Sequence, residues 1–140
     1  MELFLVAHVA GRAVAVPAEQ VESVVDLGEF VPVPGAQASV RGLAALRSRV
    51  VTVIDTGLAL GLAATPDGTR RAIITRLDGH HYAVLVDALE DVAAFERQPL
   101  AGLTLRHGWA AAGIGLIERE GEPVLVIDLP CLLPAITLAA

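Results

Sequence analysis

The sequence predicts an all-β chain built as two packed five-stranded β-barrels, SH3-like in size, with short helical turns. Three observations predict it. Short β-prone runs recur at near-regular spacing, separated by Gly, Pro and Asp punctuation, and about nine or ten strands emerge with almost no helix. Turn dipeptides with glycine second (Ala10-Gly11, Asp78-Gly79, Glu120-Gly121) stand between apolar runs. The pattern V-x-V-I-D, with a leucine five residues after the aspartate, occurs at Val51 and again at Val124, 73 residues apart, about half of the 140-residue chain. Two barrels of this size are marginal alone and gain stability by packing on one another.

The elements follow in order. Residues 3–9 form a strand apolar on both faces, Ala10-Gly11 turns, and residues 12–16 return as its hairpin partner. Pro17 starts one helical turn, since proline is tolerated where its missing N–H is not needed. Val21, Val24 and Val25 lead a strand toward Leu27, broken at Gly28. Residues 28–39 read as a loop, because Pro32 and Pro34 fix their own φ and restrict the residue before each. A central strand pair follows, 40–47 and 49–55. Val50 to Ile54 lacks polar alternation and is expected to be buried on both faces. Its corner is Arg47-Ser48, so Arg47 and Arg49 flank the join of two apolar strands.

Thr56-Gly57 ends the pair, and Leu58 to Leu62 makes a short helical turn. Residues 64–70 form a surface loop, the expected midpoint of a single domain spanning residues 1–140 in which two barrel subdomains intertwine. Asp78-Gly79 has the composition of a type I′ turn joining 71–77 to 80–86. Residues 88–95 continue as a strand or irregular segment with Leu89 and Val92 inward. Residues 96–112 read as a loop with a short strand or turn. Residues 113–119 and 122–128 are the last hairpin, and a helical turn at 129–133 closes the pattern.

Charge and composition exclude several function classes. The net charge is −6, with ten arginines and no lysine, the opposite of the usual nucleic-acid binder. Five aromatic residues are too few for base or sugar stacking platforms. No apolar run reaches the ~20 residues of a membrane span, and Glu2 stands where a signal peptide carries a basic residue, so a cytoplasmic location is expected. Cys131 is the sole cysteine, so it forms no internal disulfide. Lying among leucines, it reads as an inert core thiol.

Catalytic and metal-binding patterns are absent. His80-His81 are neighbours in a strand and point to opposite faces, so they do not chelate one ion together. His8 and His107 have no ligand-like spacing. Asp87, Glu90 and Asp91 lack the glycine and alternating oxygens of a calcium loop and read as a solvated acidic edge. Gly113-Ile-Gly-Leu lacks the third glycine and the helix of a dinucleotide site. Neither a G-x-S-x-G turn nor H-E-x-x-H occurs. The chain is thus expected to be no enzyme and to carry no cofactor. The arginines of 41–49 either pair with acids and solvate a turn, or anchor a partner's carboxylate or carbonyl.

Gly42-Leu43-Ala44-Ala45-Leu46-Arg47-Ser48, followed by Val50-Val-Thr-Val-Ile-Asp55, resembles the most recognisable stretch of the CheW-like family of chemotaxis coupling proteins. The proline-containing loop at 31–35, Leu85-Val-Asp87 and Val126-Ile-Asp128 match in order and spacing, so about residues 3–133 are covered. The resemblance implies two β-barrels packed across a hydrophobic seam and a non-enzymatic adaptor in membrane-associated receptor arrays. Its implied partners are a CheA-type histidine kinase and the cytoplasmic tip of a methyl-accepting chemoreceptor, with no nucleic acid and no direct membrane insertion. Position by position, it carries receptor binding onto Gly42, Leu46 and Arg47, and onto Val21 as an apolar position of the same groove. The chain departs from the family pattern at Ala45, Ser48 and Thr52, which stand for asparagine, glycine and proline, and at Ser23, where an acid is common. Two other readings remain open: a scaffold for pilus motility or surface attachment, and a small β-barrel enzyme or ligand carrier with a polar pocket at His80 or Asp87.

Overall fold

The computed structural model describes residues 1–100, 105 and 108–134. Eleven strands form two sheets among them. The strands are β1 (Glu2–Val9), β2 (Arg12–Pro17), β3 (Ser23–Asp26), β4 (Phe30–Val31), β5 (Val40–Leu46), β6 (Arg49–Ile54), β7 (Arg71–Leu77), β8 (His80–Leu85), β9 (Ala88–Phe95), β10 (Gly113–Arg119) and β11 (Glu122–Ile127). Helical pieces are short: α1 (Thr56–Ala59), α2 (Gly108–Ala112) and 3-10 turns at Ala18–Gln20 and Leu129–Leu132. The fold is all-β, as the strand spacing implies.

The first sheet runs β10-β11-β2-β1-β9 and the second β3-β7-β8-β6-β5-β4. Setting aside β4, the two orders correspond strand for strand, with β11, β2, β1 and β9 answering to β6, β8, β7 and β3. The pairing directions agree too. β11 runs parallel to β2 and β6 parallel to β8, while the other ladders are antiparallel. The repeated V-x-V-I-D therefore lies on equivalent strands, β6 and β11. The N-terminal hairpin pairs with the C-terminal strands, and the chain enters the second sheet at β3 and leaves it at β9. The loop at 64–70 connects strands of one sheet. An antiparallel bridge between Gln98 and Leu116 ties the end of β9 to β10 and curls the first sheet onto itself.

Strand alternation sorts the apolar residues into three cores. Phe4, Ala15, Ile117, Val124 and Val126 fill the first barrel. Ala44, Val51, Val53, Ile74, Ala83 and Leu85 fill the second. The alternate positions, among them Leu5, Val14, Ile73, Val84, Leu125 and Ile127, meet in the seam between the barrels. Strands β1, β2, β7, β8 and β11 thus face a core on each side, which explains their continuous hydrophobicity.

Turn chemistry holds where glycine follows. Asp78 and Gly79 both take positive φ (51° and 80°), as do Ala10-Gly11 and Glu120-Gly121, the geometry of type I′.

Five expectations are corrected, the last at Cys131. Val50 is 62% exposed and Thr52 is half-buried, so β6 is not buried on both faces. One face lines the barrel, and the other is covered only toward Ile54. Val92 is exposed, because β9 forms an end of its sheet, while Leu89 packs on the seam. The loop expected over 28–39 contains β4, which the flanking Pro32 limits to two residues. Residues 108–112 form α2, whose Trp109 and Ala112 are buried in the seam. The run of alanines favours helix there, and the flanking glycines masked that signal. The rest of the 96–112 expectation, at 101–104 and 106–107 with His107, lies outside the described residues.

Cys131 is exposed, against the expectation of a core thiol. Its Sγ–H donates to Asp128 Oδ2 at 3.0 Å. That bond, then burial and the nearby charge, pushes the thiol up to about 11. Protonation rather than burial is thus expected to limit its reactivity. Alkylation by iodoacetamide at pH 8 is expected to run well below the rate of a free thiol, and Asp128→Asn to accelerate it. A wild-type rate equal to that of glutathione refutes this account.

Candidate partner-binding face

The β5–β6 hairpin closes with Leu46 paired to Arg49, leaving Arg47 and Ser48 as a two-residue turn. Arg47 takes φ 51° but Ser48 does not take positive φ, the signature of a type II′ rather than a type I′ turn. A serine at the second central position is consistent with that choice, because it adopts negative φ without strain. The turn holds the Arg47 side chain out at the barrel's end. It is exposed and makes no hydrogen bond or ion pair among the described residues.

Beside it, Val25, Leu46 and Ile74, all facing the second barrel's interior, line a cavity of about 590 Å³. Glu22, Ser23, Arg47, Ser48 and Arg49 form its rim. The site is therefore the open mouth of the second barrel. Glu22 also borders a neighbouring depression of about 460 Å³ that contains Val21, Thr75, Arg76 and Pro130. Val21, Leu46 and Arg47 thus share one end of the molecule.

Gly42 is placed differently. It is buried within β5, and a Cβ there would lie 2.4 Å from the Val31 carbonyl oxygen. Its absent side chain lets β4 approach β5. Gly42→Ala is expected to lower unfolding free energy by about 1–3 kcal/mol, measured as a shift of the urea midpoint at unchanged slope. An unshifted midpoint shows that β4 adapts without cost.

A polar network borders the mouth. His81 Nε2 lies 3.1 Å from Glu22 Oε2 and also meets the Arg49 guanidinium, which reaches Glu22 at 3.7 Å. The strand register sets Arg76 opposite His81. Sequence reasoning did not place Glu22, Arg76 and His81 at the same end of the sheet as Arg47. The strand order β3-β7-β8-β6 brings them to one end, and no spacing in the chain announces it.

Asp55 lies beyond the other end of β6 from the Arg47-Ser48 turn. It is 1% exposed and caps α1 by accepting from the Leu58 N–H at 3.1 Å. It also accepts from the Thr65 N–H (2.9 Å), the Thr65 hydroxyl (2.8 Å) and the Arg41 guanidinium. Burial alone would raise its carboxyl, but these donors, Thr65 and Leu58 before Arg41, outweigh it and hold the group below its usual value. Its counterpart Asp128 accepts from Gln20 Nε2, and Gln20 Oε1 accepts from the Leu129 N–H at 2.8 Å. That pair fastens the linker carrying Val21 to the first barrel.

Asp87 accepts from the Gly11 N–H at 3.1 Å. Glu90 is held by Arg119 and by His8. Among the described residues no group of three or more His, Cys, Asp or Glu is placed to hold a metal ion. No helix among them is long and apolar enough to cross a membrane.

Comparison with known proteins agrees with this architecture. The chemotaxis protein CheW of Thermotoga maritima is 22% identical over 127 residues, covering 91% of this chain and 84% of the relative. The crystal structure of the scaffolding protein TtCheW from Thermoanaerobacter tengcongensis superposes with a TM-score of 0.78 at 20% identity, over 91% of this chain and 88% of the other. The profile of the CheW-like domain matches residues 3–137, nearly the whole chain, and the chain belongs to the CheW-like domain family.

Proposed function

We propose that this protein is a non-enzymatic scaffold of a chemosensory array. It couples the cytoplasmic tip of a methyl-accepting chemoreceptor to a CheA-type histidine kinase, on the cytoplasmic side of the membrane. The observation that carries the reading is the family match over residues 3–137, joined to an exposed, partnerless Arg47 beside an apolar barrel mouth. Val21, Leu46 and Arg47 are the contact residues of the receptor face. Gly42 contributes by letting β4 pack beneath the hairpin. Arg47 offers a charged hydrogen bond, and Val25 and Leu46 offer apolar area. A modest interface suits an adaptor that must exchange, toward the low end of roughly 1,200–2,000 Å².

Purified receptor hairpin and the kinase's CheW-like domain, both taken from the genome that encodes this chain, test the reading by titration calorimetry. Simultaneous binding of both supports it. Binding of neither refutes it, and binding of a pilus-system receptor instead moves the scaffold to that pathway.

A further inference from the structure

Arg47 shares one property with a residue the family resemblance does not assign. Among the described arginines, Arg47 and Arg76 are the two without a hydrogen-bond, ion-pair or aromatic partner. This is unexpected in a chain with 16 acids and a net charge of −6, where carboxylates outnumber cations. Both side chains are exposed, and both lie at the same end of the second sheet. Arg76 stands opposite His81 near the end of β7, and Arg47 tops the β5–β6 hairpin. Glu22 borders both depressions, but its carboxylate is already engaged by His81 and Arg49. It therefore does not neutralise either free arginine.

The order β7-β8-β6-β5 separates the two positions by two to three ladder steps, about 10–14 Å along the sheet and less in a straight line, because the sheet curves into a barrel. Two turns of a helix span about 11 Å, and the reach of the arginine side chains covers the difference. Val21 lines the depression that Arg76 borders, and Val25 and Leu46 line the mouth that Arg47 borders, so apolar area suited to a helix face stands beside each cation. We propose that Arg47 and Arg76 form a two-point cationic clamp for a helical partner segment that carries carboxylates about two turns apart. The proposal rests on the receptor-face reading above and adds to it a second anchor and a charge pattern for the partner.

The test measures binding of the purified receptor hairpin to wild type, Arg47→Glu, Arg76→Glu and Arg76→Lys, with thermal melts of each variant. Arg76→Glu is expected to weaken binding about tenfold or more, and Arg76→Lys to restore most of it. Melting temperatures are expected to stay unchanged, because Arg76 has no partner to lose. Should Arg76→Glu prove unstable, Arg76→Gln with its smaller charge change replaces it under the same criterion. Loss with Arg47→Glu but not with Arg76→Glu overturns the clamp and leaves the receptor face standing. Loss with neither overturns both. Unchanged receptor binding with weakened kinase-domain binding by Arg76→Glu also overturns the clamp, since its occupant is then the wrong partner.

Discussion

Asp55→Ala is expected to destabilise the fold by about 3–5 kcal/mol. The carboxylate is buried, and its removal strands several donors at once: the Arg41 guanidinium, the Thr65 N–H and hydroxyl, and the Leu58 N–H. Loss of the α1 cap accounts for about 1 kcal/mol of this. The remainder reflects a partly buried cation and buried polar groups left unpaired. Asp55→Asn keeps an oxygen acceptor and is expected to lose less. Urea unfolding decides the matter, and an alanine variant within about 1 kcal/mol of wild type shows that water replaces the carboxylate without cost.

The same group sets an acid limit. Its carboxyl is held below its ordinary value of 3.8 in the folded chain. Its stabilisation is therefore fully present above that value and is lost as pH falls through the lower, folded one. Acid unfolding below pH 3.8 is expected to be shallower in Asp55→Asn, because the ionisable group is gone. An identical slope assigns the acid sensitivity to other carboxylates.

Arg47→Glu is expected to weaken receptor association about tenfold or more while leaving the fold intact, since a hydrogen bond to a charged group is worth about 1.5–3 kcal/mol and the reversed charge adds repulsion. The side chain is exposed and has no partner within the chain, so stability has little to lose. Arg47→Gly separates the two contributions. A non-glycine residue at φ 51° carries left-handed strain, about 1–2 kcal/mol. The glycine variant is expected to melt higher and yet bind the receptor less tightly. Equal retention of receptor by Arg47→Glu and wild type removes Arg47 from the interface.

Much of this was legible along the chain. The Asp78-Gly79 hairpin follows from local turn chemistry, and the repeat at Val51 and Val124 identified equivalent strands because a repeated pattern reflects a repeated environment. The candidate site was legible in part. Arg47 stood out as a cation at the corner of two apolar strands, and Val21 came through family resemblance. Arg76 and His81 did not stand out, since an arginine or histidine in a hairpin strand reads as a solvated edge until the neighbouring strands are known. Val50 and Val92 were misjudged because hydrophobicity reports what a residue tolerates, whereas exposure depends on what the fold lays across it.

The two aspartates show the division most clearly. By itself the sequence determined that Asp55 and Asp128 end matching strands before helical turns, since V-x-V-I-D and the residues after it are local features. Tertiary structure alone decided that Asp55 ties β5, β6 and the loop at Thr65 into one barrel, whereas Asp128 holds Gln20 on the linker between barrels. It also decided that Arg47 and Arg76, 29 residues apart in the chain, stand at one end of the second sheet. The physical reason is that side-chain alternation is written residue by residue. Which polar groups meet depends instead on ladder order and strand exchange, and these arise from burying the seam as a whole.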